Sequence, residues 1–104
     1  MTRVVALVDD LMDRSRITAI APDAVTTRTA DGVEGADVVV VDLGGHPDAI
    51  ADVRERAPAA FVVAFGRHDD ADALRAARDA GADRVLARSR FFADVAASLE
   101  PTDG

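Results

Sequence analysis

Residues 38–45 read VVVVDLGG. Four consecutive valines cannot show one face to water. The run therefore reads as a strand buried on both faces, the habit of parallel sheets covered by helices on each side. It ends on a bare aspartate, Asp42, and two glycines, Gly44 and Gly45, follow one residue later. A carboxylate at that point is either a loop start or helix cap, or a group aimed at a ligand. The glycines let the backbone turn tightly and come close to whatever binds there.

Similar apolar runs lie on either side. RVVALV (residues 3–8) and FVVAF (61–65) read as buried strands, and DRVLA (83–87) as a short last one. AVTTRT (24–29) is β-branched and alternating, as an edge strand would be. LMDRSRITAIA (11–21) reads as a helix with Ile17, Ile20 and Ala21 at helical spacing, capped by Asp10 with Asp13 three residues on. HPDAIADVRERA (46–57) places Pro47 near a helix start and Ile50, Val53 and Ala57 on one side, with Pro58 as its stop. DDADALRAARDAG (69–81) is a helix ended by Gly81. FFADVAASL (91–99) closes the chain as one helix with Phe92, Val95, Ala96 and Leu99 at i, i+3, i+4 and i+7.

Strands alternating with helices imply right-handed crossovers and a doubly wound α/β parallel sheet. One link is odd. ADGVEGA, between the second and third strands, has too few residues for a crossover helix, since parallel connections take about a dozen. Its seven residues span roughly 23–25 Å when extended, so a loop or single turn can still return the chain for a parallel second strand.

With 104 residues the chain is expected to be one domain with a frayed tail from about residue 100. It has no cysteine, so no disulfide, thiolate metal site or cysteine nucleophile is available. That fits a cytoplasmic location. The N-terminus is too short in its apolar part for a secretory signal, and no segment approaches the ~20 apolar residues of a membrane span. All 12 basic residues are arginine, and the net charge is −7. This acidic balance argues against non-specific nucleic-acid binding, and no basic amphipathic helix suggests a membrane partner.

In open parallel sheets, ligands sit outside the carboxyl ends of the strands. Asp9 and Asp10 follow the first strand; Asp42, Gly44 and Gly45 the third; Gly66, Arg67 and His68 the fourth; Arg88, Ser89 and Arg90 the fifth. Three carboxylates gathered at one edge need a cation, a proton or arginines. Asp9, Asp10 and Asp42 have the layout of an oxygen-ligand site of the kind Mg²⁺ prefers. His68 is either a solvated loop residue or a group facing Asp42 or an anion. Arg14 and Arg16 read as solvated or paired with aspartates. Arg67, His68, Arg88 and Ser89 together could form an anion-binding rim opposite the acids.

VVALVDD together with VVVVDLGG resembles the receiver domain of two-component response regulators. AARDAGADRVLARSRF resembles the segment leading into that domain's fifth strand, and the similarity spans nearly the whole chain. The resemblance implies a flavodoxin-like five-stranded parallel sheet of order 2-1-3-4-5, here with the helix between strands 2 and 3 reduced or absent. It implies Asp42 as phosphoacceptor, Mg²⁺ held by Asp9, Asp10, Asp42 and the Gly44 carbonyl, and a histidine kinase or other signalling protein as partner, with a homodimer possible. Two positions depart from the pattern. Gly66 stands where the family has the serine or threonine of the switch, and Arg88 stands where it has a lysine. The resulting expectation is a stand-alone receiver-like signalling domain with altered switch residues, at most self-phosphorylating from a donor rather than an enzyme. Its alternatives are a pseudo-receiver, with Arg88 neutralising Asp42 and the domain binding a protein without phosphorylation, or a small-anion binder on the same fold.

Overall fold

The computed structural model describes residues 2–101. Strands β1 (Val4–Leu7), β2 (Val25–Thr27), β3 (Val38–Asp42), β4 (Phe61–Gly66) and β5 (Arg84–Ala87) form one sheet of order β2-β1-β3-β4-β5, every neighbouring pair parallel. Helices α1 (Leu11–Ile20), α2 (Ile50–Arg56), α3 (Ala71–Asp79), α4 (Arg88–Ala93) and α5 (Val95–Ser98) flank it. The odd link carries no crossover helix. A single 3-10 turn, Ala30–Val33, returns the chain, and its Val33 is fully buried in the core.

The valine run explains the two-layer core. Successive side chains of a strand point to opposite faces. Val39 and Val41 join Val5, Leu7, Val62 and Ala64 beneath Ile50 and Val53 of α2 and Ala77 of α3. Val38 and Val40 join Val4, Ala6, Val63 and Phe65 beneath Ile17 of α1, Phe91 of α4 and Val95 of α5. β2, paired only with β1, has no fully buried residue, as its alternating polar sequence requires.

Several local expectations are corrected. Ile20 is 53% exposed; the buried positions of α1 are Asp13 and Ile17, one helical turn apart. α2 starts at Ile50, three residues beyond Pro47. The C-terminal helix is two short helices rather than one. Asp94 adopts an extended φ of −153° and its side chain accepts the amide of Ala97, so it breaks α4 and caps α5. Phe91, not Phe92, is the fully buried ring there, and Ala96 is exposed. Arg88, Ser89 and Arg90 are consequently the first turn of α4, not a loop. Gly81 ends α3 as expected, with the left-handed φ of +119° that favours glycine. The expected frayed tail lies, from residue 102, outside the described residues. No helix among the described residues is long and apolar enough to cross a membrane.

Candidate functional site

β1 and β3 are neighbours, so Asp9 and Asp42 emerge side by side at the carboxyl edge. Asp42 is half-buried. Its Oδ1 accepts the Gly44 amide at 2.9 Å, and the His46 amide bonds its backbone carbonyl at 2.8 Å. Burial pushes the Asp42 carboxyl above the usual carboxylate range; the Gly44 amide and the charges of Arg88 and His46 oppose that shift, while Asp13 adds to it.

Gly44 and Gly45 do not have positive φ. Their contribution is space rather than backbone freedom. A Cβ on Gly44 would stand 3.2 Å from Asp42 Oδ1, and one on Gly45 would stand 3.5 Å from Asp9 Oδ2 and 4.0 Å from Asp42 Oδ2. The two carboxylates thus share a small open space beside a bare backbone.

Asp10 is turned partly away. Its Oδ1 accepts the Asp13 amide at 3.0 Å and caps α1. His46, which the sequence reading passed over, has its Nε2 3.2 Å from Asp9 Oδ2. The contact is not a hydrogen bond, and this buried nitrogen has no hydrogen-bond partner among the described residues. The contact is best described as electrostatic. The only prior signal was a histidine four residues after the aspartate, with glycines between.

Arg88 makes no hydrogen bond or ion pair with Asp42, although its charge acts on it. Its two terminal nitrogens donate to both oxygens of Asp13, at 2.8 and 2.6 Å. Asp13 is buried and Arg88 part-exposed. The guanidinium also lies 5.6 Å from the ring centre of Phe65 and 5.1 Å from that of Phe92. Hydrogen bonding to Asp13 raises the Arg88 pKa, against the effect of burial. Asp13 was read only as part of a helix cap. It is the counter-ion that fixes α4 to α1.

Gly66 ends β4 in a closed environment. A Cβ there would meet Leu74 Cδ2 at 3.3 Å and Leu43 at 3.4 Å, so a side chain at this position presses on the two leucines. His68 is exposed and lies with Arg67, Arg88 and Ser89 in a hollow that contains none of Asp9, Asp10 and Asp42. The four residues read as a rim thus line one hollow, and none of the three acids lines it with them. Arg16 belongs to it as well, its guanidinium 5.2 Å from the Phe92 ring centre. Arg14 is not simply solvated; its Nε donates to the Val8 carbonyl at 2.6 Å.

The donors at the acid edge are hard oxygens. Mg²⁺ keeps several waters and needs only one or two carboxylates. The Asp9 and Asp42 pair around the glycine-lined space fits that demand. No group of three or more carboxylate or imidazole side chains converges as a metal site among the described residues, because Asp10 is engaged in the cap.

No protein-family model matches the chain, and no curated protein gives a significant match. Solved structures do. A response regulator receiver domain protein from Clostridium thermocellum superposes with a TM-score of 0.78 at 16% identity, over 95% of this chain and 91% of that one. A response regulator from Burkholderia pseudomallei, with a phosphorylated aspartic acid, a calcium ion and citrate, gives 0.77 at 18% identity, over 96% of this chain and 67% of that one. A response regulator from Thermotoga maritima gives 0.71 at 18% identity, over 95% and 98%. At such identities the likeness establishes the fold, and the fold is that of response regulator receiver domains.

Proposed function

We propose that this chain is a receiver-type signalling domain in which Asp42 accepts a phosphoryl group and whose switch positions have been rebuilt. The observation that supports this most directly is the state of Asp42. It stands at the strand end, half-buried, and Arg88, the cation nearest in role, is held by Asp13 instead. Its Oδ2 has no hydrogen-bond partner among the described residues, and a partly desolvated carboxylate oxygen with no ion pair is available as a nucleophile.

In the transfer, an Asp42 oxygen bonds to phosphorus as the donor's phosphorus–nitrogen bond breaks (phosphorus–oxygen for a small acyl phosphate), and the electron pair leaves with the donor. The donor is a phosphohistidine on a partner kinase or a small acyl phosphate. Asp9 and Asp42, with the Gly44 carbonyl, would hold a divalent cation of the Mg²⁺ type. When bound, such an ion offsets the negative charge gathered there. The Gly44 amide orients the other Asp42 oxygen, and the absence of a side chain at Gly45 keeps the approach to both carboxylates open.

The output is altered in this reading. Gly66 has no hydroxyl to follow the phosphoryl group. Arg88 would leave a buried, unpaired Asp13 if it moved, at a cost of several kcal/mol. The signal is therefore read at the modified edge itself by a signalling partner.

The test is intact mass after incubation with Mg²⁺ and a small acyl phosphate. An adduct on the native chain and none on Asp42→Asn is expected. No adduct, with Mg²⁺ also leaving the melting curve unmoved, would overturn the acceptor role and leave a phosphorylation-independent interaction module.

A further inference from the structure

We propose a second site: the hollow between α1, the β4–α3 loop and α4 binds a compact oxyanion of the phosphate-monoester type. This goes beyond the acceptor reading and does not depend on it. The hollow measures about 290 Å³, near the lower end of ligand pockets and suited to a small anion rather than an extended one.

Arginines from three separate elements converge there: Arg16 from α1, Arg67 from the loop after β4, and Arg88 from α4. Each is in a different state. Arg88 is immobilised by its two bonds to Asp13 and by the rings of Phe65 and Phe92, so it costs little further ordering to use. Its Nε–H is not engaged by any hydrogen bond among the described residues. Arg67 is occupied by Asp69, through bonds of 3.1 and 2.8 Å. Arg16 makes no hydrogen bond or ion pair among the described residues and rests on Phe92, 5.2 Å from its ring centre.

Ser89 and His68 add polar groups to the wall, both exposed. The lining itself carries three arginines and one aspartate, Asp69, on a chain whose net charge is −7; Asp13, Asp42 and Asp10 act on Arg88 from outside the lining.

This contrast selects the ligand. The overall field repels extended polyanions such as nucleic acid. A compact dianion feels the nearby guanidinium groups, whose fork geometry matches phosphate oxygens. Phe92, with a cation above it from α1 and another from α4, offers an apolar surface for a small ester group. An anion would also compete with Asp69 for Arg67 at the mouth.

The test is a titration of the protein with inorganic phosphate at low ionic strength, followed by amide NMR shifts, with chloride as the control and a small aromatic phosphate ester as the second arm. Shifts centred on residues 67–69 and 88–92 with saturable binding are expected. Arg16→Gln should weaken binding about fivefold. Asp69→Asn, which frees Arg67, should tighten it about threefold, the scale of one exposed ion pair; a gain of binding cannot come from misfolding. Arg75→Gln, on the outer face of α3, should change nothing. If the ester binds more tightly than free phosphate, the site serves an esterified ligand; equal affinity assigns it to the free ion. No saturation by about 10 mM, shifts centred on Asp9, Asp42 and Gly44, or indifference to both Arg16→Gln and Asp69→Asn would overturn the proposal.

Discussion

At the amino ends of the strands Asp83 is tied into the fold by an amide and an arginine, whereas at the carboxyl ends Asp9 and Asp42 are left with oxygens to spare. Asp37, at the same edge, accepts one amide, that of Arg3, at 2.7 Å, as Asp42 accepts one at the other edge. Asp83 accepts the Val62 amide at 2.8 Å and Arg54 at 2.6 Å. The same Arg54 guanidinium also donates to the carbonyls of Gly81, Ala60 and Pro58, stitching α2 to the ends of β4 and α3. At the other edge, Asp42 accepts one amide, and Asp9 has only the contact with His46. The same residue type is a structural tie at one edge and an open acceptor at the other. What separates them is the supply of donors. The amino edge has an arginine aimed at its aspartate, while at the carboxyl edge the corresponding arginine is taken by Asp13. Charged groups left without a partner cost stability.

This contrast can be broken, beginning with the largest effect. Arg88→Met leaves the buried Asp13 carboxylate without a counter-ion and should cost roughly 3 kcal/mol, the low end for a buried pair because the arginine head is part-exposed. The double variant with Asp13→Leu should recover most of it in urea unfolding. At the amino edge, Arg54→Ala strands several carbonyls and Asp83 and should cost about 2 kcal/mol. If it cost nothing, the amino edge would not be the structural one.

Asp42→Asn should act in the opposite direction. The native carboxyl titrates above its unfolded value of 3.8, so the folded state holds that proton more tightly than the unfolded chain does. Stability from this group is complete below pH 3.8 and is lost as pH rises through the higher folded value. The variant should therefore be more stable at neutral pH without metal, with the difference vanishing in acid. Millimolar Mg²⁺ should raise the melting temperature of the native chain by mass action and leave Asp42→Asn nearly unmoved. The smallest effect is at Gly66. Gly66→Ser presses its Cβ against Leu43 and Leu74 and should lower stability by about 1 kcal/mol. A neutral result would mean that the leucines yield and the strand end accommodates a hydroxyl side chain.

Much of the fold was legible because its signals are local. Buried parallel strands need long apolar runs, and the valines at residues 38–41 and the apolar stretches before Asp9 and Gly66 supply them. Asp10, Asp70 and Gly81 mark helix ends by chemistry acting over three or four residues. The last helix was misread because the apolar spacing of residues 92–99 is helical in period, whereas the competing cap at Asp94 is satisfied only when its side chain turns to Ala97. Within the site, the positions of Asp9 and Asp42 followed from strand ends. The roles of His46, Asp13 and Arg16 did not.

Sequence alone determined where strands run, where most helices stop and which residues reach the carboxyl edge, because each of these follows from the pattern of neighbours along the chain. Only the tertiary structure decided which aspartate Arg88 meets. Its partner Asp13 lies 75 residues away, one turn before Ile17 on the buried face of α1, and Asp42 stands at the same edge as an alternative counter-ion of equal charge. Side-chain direction and helix placement chose between them. That choice leaves Asp42 without an arginine bonded to it.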